Sequence, residues 1–460
     1  MSEREAGISL SKETPLLDLL ARYAQYGKER WHTPGHKGRK PLAGDFLKWE
    51  YDITEIEEIL QTPNAVEQSQ WLMAKSYGSD QTWYSVAGAT LPVVAAILAA
   101  FPFGSTLYMD RNMHRCALTA LLMGGYNVRW LYPGVLASGV ALPLQAFPED
   151  FSGASGLVVT RPTYDGLAGP LAAAIDRAHS QGLAVVVDEA HGSHWQKPAY
   201  PSSAIELGAD LTAHGVHKNE ATLTQTGLLH LKGNRVSPWE VERWWRMLQT
   251  SSPSYLLLAS LDRLQWDRRQ GESADGWRRL AEEARHLWEV LERQGIVILQ
   301  SWAEKKGFAV DPARLTLLGE GREIRERLYP LGEVEKITPG SCTLLLAPGQ
   351  KFDGMLNALK GYSSSRVVMD EVPYPPLLTA MSVREAWERQ GKWVSLHEAA
   401  GCIVKEALTP YPPGVPLAIP GEVLAKDVVE WINEWIKTGM GPLQGLRYEE
   451  GRPMVWVIDE

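Results

Sequence analysis

Between residues 65 and 231 the hydrophobic pattern switches repeatedly between two periods. Short β-branched or apolar runs at Thr82–Val86, Thr106–Met109, Val128–Leu131, Gly156–Thr160 and Leu183–Val187 predict strands. Between them, Leu and Ala recur at helical spacing over 65–77, Leu91–Phe101, Arg115–Met123 and Leu171–Gln181. Such alternation predicts an α/β fold with a mostly parallel sheet covered on both faces. Ligands of these sheets bind at the carboxyl ends of strands, so the chemistry is expected in the loops that follow them. Ahead of this region, residues 14–26 carry leucines at helical spacing behind a Thr-Pro start, and 52–60 predict a short capped helix. After Leu231 the pattern turns helical, at Pro238–Leu248 and along Tyr255–Gln294. Ser301–Pro312 is expected to cross into a second unit, where 314–360 mixes short strands and helices around a Pro-Gly turn at 339–340. Beyond it lie Arg384–Gln390, Leu396–Leu408, a Tyr411-Pro412-Pro413-Gly414 loop and a helix from Ala425 to Lys437. The expected divisions are an N-terminal arm at 1–60, a large domain at 61–300 and a small α+β domain at 301–460.

Composition narrows the function class. With 460 residues, 45% of them hydrophobic, the chain has ample material for a large core. A net charge of −9 without a basic run argues against a nucleic-acid partner. No apolar run approaches the ~20 residues of a membrane span. The start, MSEREAGISLSKE, lacks the apolar core of a signal peptide. Cys116, Cys342 and Cys402 share no metal-like spacing, so no metal is expected, and they read as reduced thiols of a cytoplasmic protein.

Several polar loops stand out against the apolar strands. Ala87-Gly88-Ala89-Thr90 joins a strand to a helix, where backbone N–H groups and a hydroxyl suit a phosphate; it also fits an ordinary tight turn. Asp188 and Glu189 end the run Val185-Val186-Val187, with His191 close behind. A carboxylate there can hold a protonated ring nitrogen, bind a metal or cap a helix, and it costs solvation without a partner. His114 follows another strand and suits either a structural role or a place over an aromatic ring. Gly208–Leu231 carries His214, His217 and Lys218 between two strands, and a buried lysine with a depressed pKa can attack an aldehyde. The basic loop Trp31–Arg39 is either an exposed turn or a functional one. A phosphate cup, a carboxylate and a lysine, in that order on an α/β chain, are the parts that a pyridoxal phosphate site requires.

The chain resembles the bacterial Orn/Lys/Arg decarboxylase family, in a short form without an N-terminal wing domain. The resemblance rests on HTPGHKG at 32–38, DRNMH at 110–114, PTYDG at 162–166, VDEAHGSH at 187–194, HK at 217–218, TQTGLLH at 224–230, SPSYLLLASLD at 253–262 and YPPGVPLAIPGE at 411–422. It implies an aminotransferase-like large domain with a seven-stranded sheet, pyridoxal phosphate as cofactor, and decarboxylation of lysine, arginine or ornithine. It further implies Lys218 as the Schiff-base lysine, Asp188 as partner of the pyridine nitrogen, His114 stacked on the ring and His217 beside the phosphate. Gly88, Ala89 and Thr90 fall in the phosphate cup, and His191 joins Lys218 and Asp188 as a catalytic candidate for reprotonation. A homodimer is implied, with Ser251–Ser254 as the contact offered to the partner. Two positions depart from the family: Gly215 stands for a usual Ser, and Ala89 for a Ser or Thr. The loss of both hydroxyls leads to an expectation of weaker cofactor retention. Another pyridoxal phosphate reaction, or a silent cofactor-binding regulator, is the competing expectation.

Overall fold

The computed structural model describes residues 13–25, 64–364, 367, 369–373, 376–438 and 442–459. The Trp31–Arg39 loop, with its HTPGHKG motif, and the helix expected over 52–60 lie outside the described residues.

Seven strands form the central sheet: β1 (Gln81–Ser85), β2 (Thr106–Asp110), β3 (Asn127–Leu131), β4 (Gly156–Thr160), β5 (Ala184–Asp188), β6 (Leu211–His214) and β7 (Gly227–Leu231). Their spatial order is β1-β7-β6-β5-β4-β2-β3. The pairs from β3 through to β6 are parallel, while β7 runs antiparallel between β6 and β1. The expectation of a mostly parallel sheet therefore holds.

The period-two alternation of the strands sorts side chains onto two faces. Leu107, Met109, Val158, Val186, Leu211 and Leu229 pack on one side with Val94 and Ile97 of helix Thr90–Ala100 and Leu121 of helix Ala117–Gly124. Leu157, Val159, Val185 and Val187 face the other side, under Ile175 and Ala178 of helix Ala172–Ser180. Helix Thr90–Ala100 buries nearly all of its residues, as an apolar helix at the centre of a layer must. Helix Ala65–Tyr77 begins at a capping box, Asn64 with Glu67, and ends at a left-handed Gly78.

The long helical run after Tyr255 is two helices, Tyr255–Arg269 and Gly271–Arg293, because Gln270 adopts an extended conformation before Gly271. The break lets Trp277, Leu280 and Leu287 pack with Leu315, Leu317 and Cys342 of a second, antiparallel sheet. That sheet holds Val297–Ile298, Arg314–Leu318, Ser341–Leu345 and Lys336–Thr338 in spatial order. The expected crossing at Ser301–Pro312 contains a helix, Leu299–Lys305, and the short strand Ala309–Val310 that pairs with Leu167–Ala168. Over Leu396–Leu408, only Leu396–Glu398 forms a helical turn before Gly401 takes a positive φ of +84°. No helix among the described residues is long and apolar enough to cross a membrane.

Buried charge pairs join these units. Lys336 Nζ donates to both carboxylate oxygens of Asp165 at 2.6 Å, and Thr343 Oγ1 adds a third bond at 2.7 Å. Arg111 donates to Glu422 at 3.1 Å and to the carbonyls of Pro416 and Leu417 at 2.7 and 3.0 Å. Breaking a buried pair strands its partner, which costs far more than losing a surface bridge. Arg111→Met is expected to destabilise the fold by about 3–5 kcal/mol at neutral pH. Burial already pushes the Glu422 carboxyl upward against the pull of Arg111. The loss should therefore shrink on acidification, as the stranded carboxylate takes up a proton; denaturant unfolding at two pH values measures it.

Candidate functional site

Parallel pairing brings the strand ends to one edge. Asp188 closes β5 in register with Thr160 of β4 and Ala213 of β6. There the loops after β1, β2, β5 and β6 enclose a cavity of about 440 Å³. Gly88, Ala89, Thr90, His114, Asp188, His191, His217 and Lys218 all line it. The structure thus brings together every residue expected at the site, along with Thr160, Tyr164, Cys116, Tyr411 and Val415.

One end of the cavity is a helix N-terminus. Gly88 turns the chain with φ +63°, its N–H donating to the Gln225 carbonyl at 2.7 Å. Helix Thr90–Ala100 follows with Ala89 at its N-cap and no side-chain capping bond. An uncapped helix start offers N–H groups and a favourable dipole to an anion. Gly227 permits the turn, since a Cβ there would stand 2.3 Å from the Gly88 oxygen. Beside it, His217 Nδ1 lies 2.7 Å from the carbonyl of Thr226, which fixes the ring's orientation.

The other end holds the reactive candidates. Lys218 Nζ is 2.9 Å from His191 Nε2, while Arg314 donates to His191 Nδ1 at 2.6 Å. Burial lowers the pKa of Lys218 and outweighs the opposing pull of Asp188. Burial likewise pushes His191 well below its ordinary value, with Lys218 and Arg314 adding to the shift. Asp188 accepts the Ala190 N–H at 3.1 Å, and burial raises its pKa against the attraction of Lys218. Glu189, the next residue, faces away from the cavity. It accepts from Ala204 N–H and sits 2.8 Å from His214 Nε2, whose Nδ1 is 3.1 Å from His230 Nε2. The acidic pair thus divides its work: one carboxyl at the site, one in a buried network tying β6 to β7.

His114 is held from two sides. Its Nδ1 accepts the Cys116 N–H at 3.2 Å, and burial lowers its pKa to about 4, keeping the ring neutral. Gly414 of the C-terminal loop packs against it: a Cβ there would lie 2.8 Å from His114 Nε2, at a φ of +86°. Gly215 also has a steric role. A Cβ on it would lie 3.3 Å from Cδ and Cε of Lys218 and 3.1 Å from the Ala190 oxygen. Its lack of a side chain leaves room for the lysine's methylenes.

These residues fit a phosphate-bearing aromatic aldehyde: an uncapped helix start for the phosphate, a carboxylate for a ring nitrogen, an imidazole for the ring face and a buried amine for the aldehyde. Sequence reasoning missed Arg314 and Tyr164. Tyr164 packs at 4.8 Å from the His191 ring, and its hydroxyl donates to Glu335. PTYDG was visible as a motif, but nothing local assigned Tyr164 a task, and Arg314 sits inside a buried strand with no signal near it.

Comparisons with known proteins agree with this geometry. The family model "Orn/Lys/Arg decarboxylase, major domain" matches residues 14–306, and the corresponding C-terminal domain model matches 363–439. The chain is 30% identical to the arginine decarboxylase of Bacillus subtilis (strain 168), over 94% of this chain and 95% of that protein. It is 22% identical to the constitutive lysine decarboxylase of Escherichia coli (strain K12), over 90% and 76% respectively. The solved structure of the E. coli constitutive lysine decarboxylase shares the fold with a TM-score of 0.81 at 20% identity, covering 97% of this chain and 82% of that one.

Gly414→Ala is expected to displace His114 and weaken pyridoxal phosphate binding about tenfold, roughly 1.4 kcal/mol. Titration of the apoprotein by cofactor absorbance measures it.

Proposed function

The chain belongs to the Orn/Lys/Arg decarboxylase family, a pyridoxal phosphate-dependent amino-acid decarboxylase, and we propose that its substrate is arginine, converted to agmatine and CO2. The observation that carries the chemistry is the convergence of Lys218, Asp188, His191 and an uncapped helix start on a single cavity. Arginine is preferred over lysine because relatives at 28–30% identity bear the name arginine decarboxylase, against 22% for the E. coli lysine enzyme.

Bound in this cavity, pyridoxal phosphate supplies an aldehyde for the substrate's amino group and a ring that accepts the electrons released with CO2. The roles follow from the chain's own groups. Gly88, Ala89 and Thr90, with His217, take the phosphate end. Asp188 holds a proton at the ring nitrogen, and a buried carboxylate does so better than a solvated one because its charge is unscreened. Neutral His114 would pack against the ring, and Lys218 would supply the amine for the aldehyde. Loss of CO2 leaves Cα one proton short; Lys218 Nζ, beside His191 Nε2, would deliver it after taking up the proton that the substrate's ammonium gives up on binding. Tyr164, Tyr411 and Val415 line part of the cavity with apolar surface, which favours a step that disperses carboxylate charge.

The distal guanidinium needs an acidic partner. Glu335, exposed and outside the residues that line the cavity, accepts the hydroxyl of Tyr164, which does line it, and its charge favours a cation at Lys218. We assign it that role. A homodimer of the reduced cytoplasm completes the reading: helix Pro238–Leu248 leaves Trp239 and Met247 exposed just ahead of Ser251–Ser254, and all three cysteines are free thiols.

Incubation with arginine, lysine and ornithine, with detection of agmatine, cadaverine or putrescine, tests the assignment; agmatine is expected. No amine from any of them would sink the decarboxylase reading and leave the silent regulator. Lys218→Ala is expected to abolish turnover and the absorbance of attached cofactor. Glu335→Gln should raise KM for arginine about ten- to a hundredfold, the ~1–3 kcal/mol of a charged hydrogen bond, with a smaller effect on kcat.

A further inference from the structure

We propose that Arg314 is a positioning residue that fixes the proton of His191 on Nε2 and thereby holds Lys218 as a free amine. The inference rests on Lys218 as the reactive amine, but its logic is one of hydrogen-bond counting. A guanidinium has only donors and does not lose its proton in proteins. Since Arg314 Nη2 stands 2.6 Å from His191 Nδ1, that nitrogen must accept. A neutral imidazole whose Nδ1 accepts carries its proton on Nε2. Nε2 is then a donor, and its neighbour at 2.9 Å, Lys218 Nζ, must be the acceptor. An ammonium has no lone pair and would face a second donor across that gap. The bond is therefore satisfied only with Lys218 uncharged.

The surroundings agree. Arg314 is itself held by the Tyr164 carbonyl at 3.1 Å and by Asn219 Oδ1 at 3.4 Å, so its fork is aimed from a buried strand. Tyr164 packs against the His191 ring, 4.8 Å between ring centres. The groups facing Lys218 come from every neighbouring element: Asp188 ending β5, His114 and Cys116 after β2, His191 after β5, His217 in its own turn, Arg314 on the second sheet and Glu335 beside it. Asp188 is the closest rival influence, since it favours the charged amine. The Arg314–His191 pair opposes it by geometry as well as charge. Arg314 thus acts through His191 rather than on the reacting atoms, and it does so from the second sheet, so docking of that sheet arms the lysine.

The test is the pH dependence of Lys218 acetylation by acetic anhydride in the full-length chain freed of cofactor, read by peptide mass spectrometry against surface lysines as internal standards. The wild-type midpoint is expected below that of the surface lysines. Arg314→Met should raise it by at least about one pH unit, a tenfold change in the protonation equilibrium. Arg314→Lys, which keeps a charged donor, should restore most of the shift. In a His191→Ala background the Arg314→Met shift should fall below half its size, because the relay is already cut. An unmoved Lys218 midpoint in Arg314→Met, whatever happens to KM for arginine, overturns the proposal, as does a full shift that persists without His191. Should Arg314→Met fail to fold, 15N-histidine NMR of the wild-type chain decides instead. Protonation of His191 on Nε2 alone supports the relay; protonation on Nδ1, or on both nitrogens at neutral pH, overturns it. Lys218→Ala separates this from the functional reading: cofactor absorbance surviving in that variant would sink the cofactor assignment while leaving the midpoint shift standing.

Discussion

The site depends on where one strand stops. β5 is buried on both faces, so its side chains alternate between two apolar layers until Asp188 and Glu189. Continued alternation sends these carboxyls in opposite directions. Asp188 enters the cavity, while Glu189 turns to His214, Arg161 and the Ala204 N–H. Neither carboxyl is affordable in that position without partners, because an unpaired buried charge costs several kcal/mol. Parallel pairing with β4 and β6 then decides which loops stand beside Asp188. A one-residue slip of β5 would turn Asp188 away from the site.

A second constraint comes from outside the sheet. The motifs that read as separate words along the chain pair up in space. Asp165 of PTYDG grips Lys336, Arg111 of DRNMH grips Glu422 of the C-terminal run, and Gly414 fits against His114. Each contact spans more than 150 residues, and each ends within a few residues of a cavity wall. Buried ion pairs of this kind add little net stability over apolar packing, since desolvation offsets the attraction. Their contribution is register: a guanidinium fork or an ammonium between two oxygens admits few alternative alignments.

The α/β class, the parallel sheet and the site residues from Gly88 to Lys218 were legible because each lies at a strand end, where local pattern and function coincide. Arg314 was not, because its strand, Arg314–Leu318, is wholly buried and only the tertiary fold gives it His191 as neighbour. The break at Gln270 was marked only by Gly271 and Gly276, which the strongly helical runs on both sides outweighed. Gly215 shows a different kind of gap. In the sequence it stands as a missing hydroxyl, whereas in the fold its absent side chain makes space for the tail of Lys218. A residue read as a loss is, sterically, part of how the lysine is seated.

The uncharged state of Lys218 has a consequence for the whole molecule. A lysine whose pKa is lowered by folding binds fewer protons folded than unfolded, so stability from this group rises with pH between the folded and unfolded values. Below the ordinary lysine pKa the apoprotein therefore carries a penalty for burying that amine. His191, held well below its ordinary pKa, adds a penalty of the same sign that is felt only in acid. Both penalties are properties of the protein before any ligand binds, and they select the free amine and neutral imidazole in advance. A ligand that captures Lys218 as an uncharged nucleophile meets a group already stripped of its proton and solvent, so that cost does not fall on the binding step. Cavity, buried arginine and side-chain-free Gly215 are in this sense one device: they spend stability of the empty fold on the readiness of a single nitrogen.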